Sequence, residues 1–159
     1  MTTKKEWPHL LQGANDWKCD FDLPEFRSSG SSYVFPHDVC LTTTKIDGYI
    51  ISRSARICIG LELTSPMEEN LVKQHSFKQQ KYEELALEAA RNNWRFEKLI
   101  IEVGARGFVP RHVHKVLTRL DIKAKALINK LVLLAQKCSY VIWINRFNKD
   151  FQTWRLVEK

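Results

Sequence analysis

Two carboxylates and one lysine carry the clearest chemical potential in this chain of 159 residues. In ICIGLELT (57–64), extended alternation puts Ile57, Ile59, Leu61 and Leu63 on one face and Cys58, Gly60, Glu62 and Thr64 on the other. A carboxylate and a hydroxyl therefore end the second face, about 7 Å apart along the strand. A carboxylate near the end of a central strand needs an ion pair, hydrogen bonds or a metal to offset its desolvation. Asp47 falls on the preceding strand, among Ile46, Tyr49, Ile50 and Ile51. Two carboxylates on adjacent strands suit Mg2+, which takes one or two such ligands and fills its other positions with water and substrate phosphate.

A long helical pattern follows, with an apolar stripe of Leu71, Tyr82, Leu85 and Ala89. At 100° per residue, Lys78 lies about 20° from Leu71, inside that stripe, and His75 about 40° to its other side. A lysine there must reach a partner or a cleft. Beside two carboxylates, its ammonium would orient an attacking water and stabilise charge on a phosphodiester. Blander readings stand next to this one. A single strand-end carboxylate is usually structural or solvated, and a stripe lysine usually snorkels to water.

The elements that must position these groups follow from patterning. Residues 1–15 read as an N-terminal extension and 16–159 as one domain. DWKCDFDL (16–23) alternates as a strand, and PEFRSSGSSYVFP is an irregular excursion. TKIDGYIIS and ARICIGLELT, joined by a turn near Ser52-Arg53-Ser54, form a hairpin. Ser65-Pro66 ends the strand, and one long helix is expected from Met67 to Asn92, with Glu68 and Glu69 at its positive end. FEKLIIEV (96–103) is a strand and GARGFVP a turn. RHVHKVLTRL and IKAKALINKLVLLAQK are helices, and SYVIWINRF is expected to be a final strand, with Trp154 in the tail. The fold class is α/β, a mixed central sheet flanked by helices.

Composition narrows the function. Apolar residues make up 44% and charged residues 27%, a globular balance, and 25 Lys+Arg against 18 Asp+Glu give 25 − 18 = +7. That charge suits a polyanionic partner without identifying one. No linear apolar run approaches the ~20 residues of a membrane span, so no membrane is expected. MTTKKEWPHLLQG lacks the apolar core of a secretory signal. Cys19, Cys40, Cys58 and Cys138 form no CxxC pair and read as reduced thiols, with Cys58 a small buried hydrophobe. The expected compartment is intracellular, and nuclear in a eukaryote. His112 and His114, two apart, cannot share a helix face, so a dedicated histidine metal site is not expected. No GxxxxGK[ST], GxGxxG, GxSxG or HExxH occurs, which argues against the chemistries those motifs serve.

The segments IDGYI, GLELTSPMEENLVKQHSFKQQKYEEL and IEVGARGFV together resemble the PD-(D/E)XK nuclease superfamily, with its restriction-endonuclease-like core. More narrowly, they are similar to the endonuclease-like domain of animal retroelement reverse-transcriptase open reading frames. The resemblance runs from DWKCDFDL to WINRF. It implies a divalent-metal-dependent endonuclease hydrolysing DNA phosphodiester bonds, with Mg2+ or Mn2+ as cofactor. Asp47 matches the Asp of the first motif element and Glu62 the acidic residue of the second, and the Leu63 backbone carbonyl completes the implied metal ligands. Thr64 stands where the motif lysine would be, and Lys78, or less closely Lys81, matches a lysine moved to the following helix. Glu68 matches an acidic helix-start position, serving to hold a metal-bound water or to cap the helix. Glu102 matches a recurrent acidic residue of unassigned role. Ile46 replaces the motif proline and Met67 a usual tryptophan, departures that a silent descendant would also show.

The alternative is a catalytically inactive, domesticated nucleic-acid-binding module. Arg106, Arg111, Lys115, Lys123 and Lys125 would hold phosphate, with Phe108 and Trp143 as stacking aromatics. The same lysines also read as the solvated face of a core helix. A protein-interaction domain is a third reading. DNA is the expected partner, with RNA the alternative, and a homodimer is compatible with the reading.

Overall fold

The computed structural model describes residues 9–23 and 33–145. Among the described residues, four strands form one sheet in chain order: β1 (Lys18–Phe21), β2 (Gly48–Ser52), β3 (Ile57–Thr64) and β4 (Arg95–Glu102). β1, β2 and β3 pair antiparallel, whereas β3 and β4 run parallel. A parallel neighbour requires a crossover, here α1 (Leu71–Lys81) and α2 (Glu83–Arg91). Two more helices follow, α3 (Arg111–Arg119) and α4 (Ala124–Asn145). The molecule is thus a mixed α/β fold built on a mixed sheet.

The β2–β3 turn is tied by Asp16. Its Oδ1 accepts from the Ser52 and Ser54 hydroxyls, both at 2.6 Å, and its Oδ2 from the Arg53 and Ser54 amides at 3.0 and 2.9 Å. The two serine hydroxyls, then the Ser54 amide, hold the Asp16 carboxyl well below the usual carboxylate range. Both sheet faces are covered. Cys58 packs with Ile46, Ile51, Tyr82, Leu85, Ala89 and Trp94. Ile59, Leu61 and Leu99 pack with Leu10 and Leu120 on the other side. Val113 and Leu117 of α3 meet Ile128 of α4. Leu10, from the N-terminal extension, is buried, and its amide donates to the Arg119 carbonyl at 2.8 Å. All four cysteines are free, and burial pushes the Cys58 thiol up to about 12.

Several expectations are corrected. The stretch expected as a final strand is helical as far as it is described: Ser139–Asn145 complete α4, while Arg146, Phe147 and Trp154 lie outside the described residues. No Gly, Pro or turn pair interrupts 124–145, so an established helix propagates at one hydrogen bond per residue. The β-branched residues Val141, Ile142 and Ile144 oppose this by only a few tenths of a kcal/mol each. The single long helix is also divided. A 3-10 turn (Glu68–Asn70) precedes α1, and α1 stops at Tyr82, whose φ of −97° and ψ of 2° lie in the bridge region. The break falls at a buried tyrosine whose hydroxyl is anchored on the sheet. Asp47 directly precedes β2 instead of lying within it. Finally, Lys125–Asn145 contains an 18-residue stretch of mean hydropathy 1.3, long and apolar enough, by length and composition only, to cross a membrane. Asn129, Lys130, Gln136 and Lys137 break the linear run but not the helix average.

Candidate functional site

Alternation and register put Glu62 and Glu102 on one sheet face, because Glu62 pairs with Ile100 and Thr64 with Glu102. α1 crosses over β4 and presents His75 and Lys78, three residues apart and therefore neighbours on a helix surface. Tyr82 follows four residues after Lys78. Lys78 Nζ donates to Glu62 Oε1, and the Tyr82 hydroxyl donates to Glu62 Oε2. Lys81 Nζ lies 4.0 Å from Glu62 Oε1 and donates to the Lys45 carbonyl at 3.0 Å and the Tyr82 hydroxyl at 3.1 Å. Glu62 is only 4% exposed, so these donors offset the desolvation of its charge. Burial first, then the hydrogen bond to Glu62 and the negative charges of Glu62 and Asp47, push the Tyr82 phenol far above its ordinary pKa. It therefore stays a donor at neutral pH.

Asp47 is exposed, and its Oδ2 accepts the Leu63 amide at 2.7 Å. The aspartate is thereby fastened to the residue next to Glu62. The fold brings Glu62, Lys78, Lys81 and Tyr82 into one contact cluster and joins Asp47 to it through the backbone of β3. Tyr82 was expected only as a core residue. Its position in the stripe was readable, but nothing in the periodicity says where its hydroxyl goes.

The other candidates divide. Thr64 is half-buried, and its carbonyl accepts the Val103 amide at 3.1 Å. Glu68 faces the 104–108 turn: Oε1 accepts the Arg106 amide and Oε2 the Arg106 Nε, each at 2.8 Å. Desolvation raises the Glu68 pKa, but the bonds from Arg106 outweigh it and hold the carboxyl below its usual range. Arg106 also donates to Glu69 at 2.7 Å, so this residue closes a surface clasp. Arg111, Lys115, Lys123 and Lys125 are exposed, as are Phe108 and Trp143.

Glu102 is the centre of a second cluster. It is fully buried, with Oε2 at 2.8 Å from His75 Nδ1 and 3.0 Å from His112 Nε2. The two imidazoles are 4.4 Å apart, tilted by 45°. The expectation of no histidine site is thus revised. It weighed His112 against His114 on one helix, whereas the fold supplies one imidazole from α1, one from α3 and the carboxylate from β4. Desolvation, then the neighbouring His75, hold the His112 pKa below its ordinary value, with Lys115 adding to them and Glu102 opposing.

Compared with known proteins, the chain matches no protein-family model, no curated protein and no solved structure.

Proposed function

We propose that this protein is a divalent-metal-dependent endonuclease hydrolysing DNA phosphodiester bonds, with a restriction-endonuclease-like core of retroelement origin or association. The observation that carries the reading is the contact of Lys78 with Glu62, made across the crossover from α1 to β3. An acidic strand residue, a lysine from the following helix and an aspartate held at the adjacent backbone amide are the components such a reaction needs. The donor set fits a hard cation. Glu62 Oε1 already faces a positive charge, Asp47 offers an exposed carboxylate, and the Leu63 carbonyl belongs to the same stretch of β3. Bound there, Mg2+ or Mn2+ supplies Lewis-acid activation of water and neutralises charge on the phosphodiester. Lys78 then orients the attacking water and stabilises charge building on the phosphate oxygens. Tyr82 fixes the second Glu62 oxygen, and Lys81 keeps the local field positive.

One observation favours a second reading, a catalytically silent nucleic-acid-binding module. Both Glu62 oxygens are occupied by protein donors and the residue is almost wholly buried. A metal ligand must share one of these oxygens with its protein donor or displace that donor.

Nicking of supercoiled plasmid in Mg2+ or Mn2+ tests the proposal. Asp47→Asn is the informative variant, because an asparagine oxygen still accepts the Leu63 amide while the charge is lost. Wild type is expected to nick, and Asp47→Asn to fall by at least about a hundredfold, comparable to the loss of one electrostatic stabiliser. Equal cleavage by the two proteins would sink the nuclease reading. Metal-independent binding without cleavage would establish the silent module.

A further inference from the structure

We propose that His75, Glu102 and His112 form a second metal centre, for Zn2+, whose open coordination position faces a basic cleft and accepts an anionic ligand of the phosphate class. This centre is separate from Asp47 and Glu62, and it does not depend on the chain being a nuclease. One ligand atom from each of the three residues lies within 4.8 Å of the others. Two imidazole nitrogens and one carboxylate oxygen suit Zn2+ rather than Mg2+, which prefers an all-oxygen octahedron. Three protein ligands leave the fourth position of a tetrahedral ion to an exchangeable ligand.

Two independent observations indicate a built site rather than a packed Glu–His pair. Glu102 is fully buried, yet its Oε1 has no hydrogen-bond partner among the described residues. His112 Nε2, also buried, lies 3.0 Å from Glu102 Oε2 but makes no properly aligned hydrogen bond. An imidazole nitrogen and a carboxylate oxygen are therefore left unused where burial makes unused polar atoms costly. An outer partner is present as well. The Gln79 side chain lies 3.4 Å from His75 Nε2, one turn along α1, and so steadies the ring whose Nδ1 faces Glu102.

The cleft beside these imidazoles argues for the anionic ligand. It encloses about 280 Å3 and is lined by His75 and His112 together with Lys98, Lys115 and Arg119. Lys98 is steadied by the Gln79 carbonyl at 2.6 Å and Arg119 by Glu97 at 3.2 Å. Arg119 Nε is buried without a hydrogen-bond partner among the described residues. A phosphate oxygen bound to the metal would bring the remaining oxygens toward these cations.

The test uses the full chain, stripped of metal with a chelator. Zn2+ is titrated in competition with a chromophoric chelator, and Co2+ is used as a visible reporter of coordination. One equivalent of Zn2+ is expected to bind. His75→Ala should bind at least about tenfold more weakly, a conservative bound since even outer partners of a metal site contribute that much. Asp47→Asn should bind as wild type does, which separates this centre from the proposed nuclease site. Inorganic phosphate should shift the Co2+ spectrum of wild type, and Lys98→Met with Lys115→Met should need at least about tenfold more phosphate for the same shift. If His75→Ala fails to fold, zinc X-ray absorption on wild type reads the ligands directly, and two imidazoles are expected. No stoichiometric Zn2+ binding, tight binding by a folded His75→Ala protein, or a zinc shell without histidine would overturn the centre. A Co2+ spectrum indifferent to phosphate would overturn the open position.

Discussion

Tyr82 is the residue in which core and site meet. Its ring packs with Ile46, Leu85 and Trp94, while its hydroxyl donates to Glu62. Tyr82→Phe keeps the packing and removes the donor, leaving one oxygen of a buried carboxylate unpaired. A hydrogen bond to a charged group contributes about 1.5–3 kcal/mol, so the variant should lose about 2 kcal/mol in urea unfolding. An unchanged midpoint would mean that Glu62 does not rely on this phenol. Lys78 could be singled out from the helical wheel because a lysine is anomalous on an apolar stripe, and His75 could be placed on the same side. The Tyr82 hydroxyl could not, because tyrosine there satisfies the pattern whether or not its oxygen has work to do. His112 was equally hidden, since its partners come from elements 37 and 10 residues earlier in the chain, His75 and Glu102.

Among the elements, β3 explains most of the architecture. It pairs antiparallel with β2 over Ile57–Leu61 and parallel with β4 along its whole length, so its first five residues are constrained on both sides and Glu62–Thr64 on one. Gly60 lies where a side chain has no room: an added Cβ would stand 2.6 Å from Phe96 Cζ. Gly60→Ala should therefore lower stability by about 1–3 kcal/mol, the usual range for overpacking, read as a fall in the thermal or urea midpoint. A neutral result would show that the Phe96 ring moves aside freely. The hairpin, β4, α3 and the stripe of α1 and α2 were legible in the sequence because alternation, turn chemistry and helical period agree there. The break at Tyr82 and the fate of 139–145 were not. Both are decided by continuity: a helix already formed incorporates Val141, Ile142 and Ile144 at small cost, while a single anchored side chain interrupts an otherwise regular helix. The parallel β3–β4 pairing brings Glu62 and Glu102 to one face, which strand patterns taken singly do not reveal.

For the whole molecule, the +7 balance is set against a few acidic centres. Glu62 and Glu102 are buried and faced by cations or imidazoles, whereas Arg111, Lys123 and Lys125 are left at the surface. If DNA is the partner, affinity should fall linearly with the logarithm of salt, by about 0.9 per phosphate neutralised. Replacing both Lys123 and Lys125 by Gln should reduce that slope by about 2, measured by fluorescence anisotropy over a salt series. An unaltered slope would remove those lysines from the interface. The exposed apolar residues of α4, among them Leu133, Leu134 and Trp143, are a separate feature of the surface.

A crystal soaked in Mn2+ shows whether a cation sits between Asp47 and Glu62. Anomalous density bonded to both carboxylates, with the Lys78 ammonium moved off Glu62 toward the metal's water, is the predicted result. Density confined to other sites, with Lys78 still seated on Glu62 at saturating Mn2+, would contradict it.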